Sequence, residues 1–192
     1  GSTGWDMARA LAPGLDGSIY VAGQTNSSTQ NSSTPNSASL DEQTRGGMDD
    51  VFVTKLMPNG TKAWTKLIGS TAGEMFNDLT TGSDGSVYVA GQTNSPVLDG
   101  QSSSGGQDAF VTKFSPDGTK AWTRLIGSTA MDMARALTIG LDGSIYVAGL
   151  TNSPTPNGPN LDGQASGGMD DVFVTKFSPD GTKVWTRLIG ST

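Results

Sequence analysis

The 192-residue chain has no Cys and no His, carries a formal net charge of −6 and is 34% hydrophobic. The missing Cys excludes disulfides and thiolate metal sites, and the missing His excludes imidazole ligands, His general bases and Ser-His-Asp triads. An acidic surface repels a phosphate backbone, so no nucleic acid is expected as a partner, and no apolar run reaches the ~20 residues of a membrane span.

The chain is built on a recurring phrase. Lys62 to Thr71, Lys120 to Thr129 and Lys183 to Thr192 are near-copies, each ending in Gly-Ser-Thr, and Gly1-Ser2-Thr3 repeats that ending. Internal repeats decide the fold before any other signal. Here they divide the chain into residues 1–68, 69–126 and 127–192. The length differences between copies fall in one Ser/Asn/Pro/Gly-rich segment per repeat, at 24–48, 92–107 and 150–169, as expected of loops on a fixed scaffold.

Each repeat reads as four strands. In the third they are Met133 to Thr138, Ser144 to Gly149, Asp171 to Phe177 and Lys183 to Ile189. Asp142-Gly143 and Pro179-Asp180-Gly181 join the outer pairs as tight hairpins, because Gly supplies positive φ and Pro presets the turn. Asp16-Gly17, Pro58-Asn59-Gly60, Asp84-Gly85 and Pro116-Asp117-Gly118 do the same in the other copies. The second and third strands are apolar on both faces, so each sheet requires cover on both sides. Antiparallel four-stranded units stacked between copies of themselves describe the blades of a β-propeller, an all-β fold. In an up-down meander the long loops and the Gly-Ser-Thr connections share one end, which is the expected functional face.

Asp142-Gly143-Ser144-Ile145-Tyr146-Val147-Ala148-Gly149-Leu150-Thr151-Asn152-Ser153 resembles the D-G-N-V-Y-V-T-G-x-T-x-S of the SBBP repeat, a bacterial β-propeller repeat, and Gly106-Gln107-Asp108-Ala109-Phe110-Val111-Thr112-Lys113 is similar to its G-x-D-A-F-V-A-K. All three copies match. The resemblance implies propeller blades in a secreted or cell-surface protein, hence an extracellular location. The chain departs from the family in placing Trp64, Trp122 and Trp185 where Tyr is common on the last strand.

Two acidic rows are the candidates for ligand or cation binding: Asp6, Glu74 and Asp132 opening the first strand, and Asp49, Asp50, Asp108, Asp170 and Asp171 opening the third. Oxygen-rich rows suit a hard cation such as Ca²⁺. The competing reading is that each carboxylate accepts backbone N–H groups at a loop-to-strand junction. Repeated, equivalent carboxylates do not provide the two different environments of an acid/base pair, and the lone Glu42 does not supply one, so no enzyme is expected. The Trp row is a sugar-stacking platform in one reading and inter-blade packing in the other. Trp5 has no counterpart in the other copies and is the candidate for a surface contact; Met7, Met75 and Met133 read as core filling. The tract from Asn26 to Ser39 reads as a flexible loop.

Three blades do not close a ring. The expectation is a non-catalytic repeat scaffold that completes itself as a homo-oligomer, a ring of 3 + 3 blades or an extended stack. The alternative is a propeller that binds a glycan or Ca²⁺ through the acidic rows and long loops.

Overall fold

The computed structural model describes residues 4–26, 47–152, 161–164 and 170–190. Sheet I contains β1 (Asp6–Pro13), β2 (Ile19–Asn26), β3 (Asp49–Leu56) and β4 (Lys62–Ile68), paired antiparallel in that order. Sheet II contains β5 (Glu74–Thr81), β6 (Val87–Thr93), β9 (Asp108–Phe114) and β10 (Lys120–Ile126), and the loop between its second and third strands holds the small hairpin β7 (Val97–Leu98) and β8 (Gln101–Ser102). Sheet III contains β11 (Met131–Ile139), β12 (Ile145–Asn152), β13 (Asp170–Phe177) and β14 (Lys183–Ile189). The described residues are all-β, and none of them forms a helix long and apolar enough to cross a membrane. The three four-stranded antiparallel repeats expected from the sequence are present; a closed ring of them is not seen in the single chain.

The sheets stack face to face in chain order, with β1 beside β5 and β5 beside β11. Tyr20, Ala22, Val51, Val53 and Ile68 of sheet I meet Phe76, Leu79, Val87, Val89, Phe110 and Phe114 of sheet II. Tyr88, Ala90, Ala109, Val111 and Ile126, on the opposite face of sheet II, meet Ala134, Leu137, Ile145, Val147, Phe173 and Phe177 of sheet III. Each joint is therefore built from the same repeat positions, with a "back" face of one sheet against the "front" face of the next. Strands apolar on both sides are what allow the middle sheet to be covered twice.

Bulges sharpen the twist at two places in each sheet. The first strand shifts register at Ala8/Ala10, Phe76/Asp78 and Ala134/Ala136. The fourth does so at the hairpin end, at Lys62/Trp64, Lys120/Trp122 and Lys183/Trp185. Each Asp-Gly hairpin is clamped by an ion pair from its Asp to a Lys on the third strand. Asp16 meets Lys55 at 2.8 Å, Asp84 meets Lys113 at 2.9 Å and Asp142 meets Lys176 at 3.2 Å. Each of these ammonium groups also lies over a Tyr ring of the second strand, at 5.6, 5.3 and 5.3 Å from the centroid.

Candidate functional site

The Gly-Ser-Thr connections tie the two acidic rows together. A Cβ on Gly69 would lie 2.2 Å from the Asp50 carboxylate, one on Gly127 2.3 Å from Asp108, and one on Gly190 1.8 Å from Asp171. Only Gly leaves room for the third-strand carboxylate to fold over the connection. The following Ser then serves the next acid. The Ser70 amide donates to Glu74 Oε2 at 3.0 Å, and the Ser128 amide and hydroxyl donate to Asp132 Oδ2 at 2.7 and 2.8 Å. The repeated phrase is thus a joint between consecutive sheets.

The rows differ in exposure. Glu74, Asp108 and Asp132 are wholly inaccessible, Asp50 and Asp171 nearly so, and Asp6 is exposed. Glu74 is fully satisfied, since Oε1 accepts from the hydroxyls of Thr93 and Ser95 at 2.7 Å each. Asp49 and Asp170 each accept a side-chain N–H from the Asn ending the second strand, Asn26 and Asn152. Asp6 accepts from the Thr25 hydroxyl. Asp108 Oδ2 accepts the Ser104 amide at 2.7 Å. Gln107 bridges to Met131 in parallel register, which sets Asp108 and Asp132 side by side across the joint between sheets II and III. Asp108 Oδ1 and Asp132 Oδ1 are both buried without a hydrogen-bond partner.

Burial pushes the carboxyls of Glu74 and Asp108 above their ordinary values. The hairpin Asp residues go the other way. The Ser144 amide and hydroxyl, then Lys176, bring Asp142 down to about 2. The signs are opposite. A depressed carboxyl adds stability above its unfolded pKa, and this is lost only as pH falls through the folded value. A raised carboxyl adds stability below its unfolded pKa, and this is lost as pH rises through the folded value. The chain is therefore expected to melt no lower at about pH 5 than at about pH 7. Calorimetry at the two values checks this, and a clear fall on acidification would contradict it.

The Trp row lies in the joints. Trp64 sits between Tyr20 of its own sheet and Phe114 of the next, at 5.7 and 6.3 Å between ring centroids, and its indole N–H donates to the Pro116 carbonyl at 3.1 Å. Trp122 sits between Tyr88 and Phe177 at 6.1 and 6.4 Å. Trp185 has Tyr146 at 6.1 Å. Inter-sheet packing is the role of the first two, so they offer no open platform for a sugar. Trp5 is exposed. The expectation of core filling by the Met row is corrected: Met7 and Met75 are about two-fifths exposed, at 43% and 40%, because their positions on the first strand lie outside both joints. Glu42 and the tract 27–39 lie outside the described residues.

The front of sheet I and the back of sheet III carry the same repeat positions as the internal joints. On the front of sheet I, Leu11 is 70% exposed and Ile19 39%, whereas their counterparts Leu79 and Leu137 are 8% exposed and Val87 and Ile145 0%. On the back of sheet III, Ile189 is 62% exposed and Val172 39%, whereas Ile68, Ile126, Val51 and Ala109 are 0% exposed.

One element escapes a strand-by-strand reading. Leu98-Asp99-Gly100-Gln101 and Leu161-Asp162-Gly163-Gln164 fold the loop between the second and third strands onto the outer strand. Leu98 and Leu161 are buried, and Asp99 and Asp162 hold Lys120 and Lys183. The Gln101 amide donates to the Thr123 carbonyl and accepts the Leu125 N–H; Gln164 does the same to Thr186 and Leu188. A side-chain amide thereby pairs with the edge strand as another strand would. The signal is in the sequence as a repeated Leu-Asp-Gly-Gln inside otherwise variable loops.

No family model matches the chain. It is 30% identical over 180 residues to the regulatory protein FlaEY of Caulobacter vibrioides, covering 90% of this chain and 18% of that protein. It is 24% identical over 169 residues to the uncharacterized WD repeat-containing protein L264 of Acanthamoeba polyphaga mimivirus, covering 77% of this chain and 12% of that protein. The chain thus spans less than a fifth of the length of either relative. The likeness to a WD repeat-containing protein agrees with a repeat-built, β-rich chain.

Proposed function

We propose that this chain is a non-catalytic scaffold of SBBP-type β-propeller blades that completes its stack by binding a second copy of itself, outside the cell. One observation supports the reading: both internal joints set the back of one sheet against the front of the next through the same repeat positions, so the back of sheet III and the front of sheet I are complementary surfaces. These faces are different surfaces, so the contact is head-to-tail. Such contacts give a ring where the rotation closes and a filament where it does not. A six-bladed ring of 3 + 3 sheets is the simplest closure. The expected particle in sedimentation at tens of micromolar is a dimer, with the monomer appearing on dilution. A monomer at every concentration would refute the proposal.

A second reading, a bound divalent cation, is favoured at one place by Asp108 and Asp132, neighbours across the joint between sheets II and III, each with a buried Oδ1 that has no hydrogen-bond partner. Buried charge is ordinarily paired or metal-bound. A Ca²⁺ ion there would have two carboxylate oxygens from adjacent sheets. Titrating Ca²⁺ into chelator-treated protein should release heat and raise the melting temperature, and Asp108→Asn should abolish both effects. No response in the parent chain would refute this reading.

A further inference from the structure

The turn between the third and fourth strands of sheet I differs from its counterparts in its second residue. Pro58-Asn59-Gly60-Thr61 stands where sheets II and III have Pro116-Asp117-Gly118-Thr119 and Pro179-Asp180-Gly181-Thr182. The three turns are otherwise built alike. Their glycines have φ of +80°, +85° and +83°, and each donates its N–H to the carbonyl three residues back, of Met57, Ser115 and Ser178, at 2.8, 2.9 and 2.9 Å. The side chain before each glycine caps its turn. Asn59 Oδ1 accepts the Thr61 amide at 3.0 Å and the Thr61 hydroxyl at 2.7 Å. Asp117 Oδ1 and Asp180 Oδ1 accept the Thr119 and Thr182 amides, each at 2.9 Å. An amide oxygen therefore takes, in sheet I, the place that a carboxylate takes in the other two.

The Asn-Gly pair brings its own chemistry. Glycine has no Cβ to shield its nitrogen, so the Gly60 nitrogen is free to attack Asn59 Cγ once the turn opens. The new N–Cγ bond expels the side-chain nitrogen, which leaves as ammonia with the proton from Gly60, and a five-membered succinimide remains. Water then opens the ring. Cleavage between Cγ and nitrogen leaves Asp in a normal main chain, and cleavage at the main-chain carbonyl leaves isoaspartate. One water is consumed, one ammonia is released, and no oxidant or enzyme is needed. Pro58, Asn59, Gly60 and Thr61 are all exposed, and Asp117 and Asp180 remain exposed even where the Trp64 and Trp122 rings lie against their turns. Opening so exposed a turn is a local event of small cost.

We propose that Asn59 is a site of spontaneous deamidation and that the turn accommodates the Asp product. The counterpart turns show why. The Thr119 amide holds the Asp117 carboxyl below the usual carboxylate range, and the Ser178 hydroxyl and Thr182 amide hold Asp180 there too. A carboxylate at position 59 would keep both donors of Thr61 and bind them more strongly than the amide does. The product is a sheet I turn of the same Pro-Asp-Gly-Thr form as the other two.

Peptide mapping of the folded chain, held at mildly alkaline pH and physiological temperature, tests the site. Position 59 falls on the tryptic peptide from Leu56 to Lys62, apart from Asn157-Gly158, which lies outside the described residues. That peptide should gain the mass difference between an amide and an acid as the solution gains ammonia. It should do so faster in urea, where the Gly60 N–H and Asn59 Oδ1 lose their partners, and not at all in Asn59→Gln over the same time. A folded chain that keeps its amide for as long as the unfolded chain takes to convert would overturn the site. Asn59→Asp should melt within about 2 °C of the parent. A clear fall would show that the turn does not accommodate the product.

Discussion

Trp122→Ala is expected to lower folding stability by about 3 kcal/mol, while Trp185→Ala, the same substitution in the same local phrase, should cost less than about 1 kcal/mol in the dilute monomer. Trp122 bridges two sheets, stacking on Tyr88 and Phe177 with Gly181 against its face. Removing it leaves a cavity that neither sheet fills alone. Trp185 touches Tyr146 of its own sheet, and its far side is open. For a chain of this length, about 3 kcal/mol corresponds to a melting-temperature drop of about 6–12 °C. Urea melts at low protein concentration separate the two variants. Equal losses would mean that the Trp row acts within sheets and not between them.

The second large effect is expected at Gly91. A Cβ there would stand 2.0 Å from the Met75 carbonyl oxygen and 2.9 Å from two atoms of the Phe110 ring. Met75 belongs to the strand paired with Gly91, so its carbonyl does not retreat without breaking the ladder next to the bulge at Phe76/Asp78. Gly91→Ala should therefore cost about 3 kcal/mol or more, the upper range for overpacking. Gly60→Ala is the comparison. Gly60 has φ +80° but open space around it, so Ala there meets conformational strain alone, of about 1–2 kcal/mol. The ratio of the two, from denaturant midpoints at equal m-values, tells crowding from backbone strain. A larger loss at Gly60 would mean that the turn, and not the close approach of the first two strands, is what demands Gly.

Much of this was legible in the sequence. The Asp-Gly and Pro-Asp-Gly hairpins, the strands apolar on both faces and the equal spacing of the Trp residues all report on local geometry, and local geometry follows local pattern. The last strand of each repeat begins and ends where its pattern implies. The second strand runs farther than expected, to Asn26 and Asn152, because those Asn side chains cross to Asp49 and Asp170 and extend the ladder toward the loops. The acids were legible as a pattern but not by environment. Burial of Glu74 and Asp132 depends on the neighbouring sheet, and no spacing within a repeat encodes that. The Leu-Asp-Gly-Gln clasp was missed for a similar reason: a Gln amide standing in for a peptide group has no periodicity, and only its recurrence marks it. The exposure of Met7 and Met75 runs against their apolar character, since it depends on where the first strand lies in the stack.

The Gln101 and Gln164 clasps have a consequence for how the protein behaves when concentrated. They occupy the outer edges of sheets II and III, where lateral strand addition would otherwise start. In the self-association proposed above, adhesion falls to the front of sheet I and the back of sheet III, and the chain would be a bifunctional monomer in the polymer sense. Such units make linear chains or macrocycles but not branched networks, and the two compete by effective molarity. A short cycle wins at low concentration, because its final closure is intramolecular, and open chains gain as the bulk concentration overtakes that effective value. Crowding the protein should therefore lengthen it, raising viscosity without gelation.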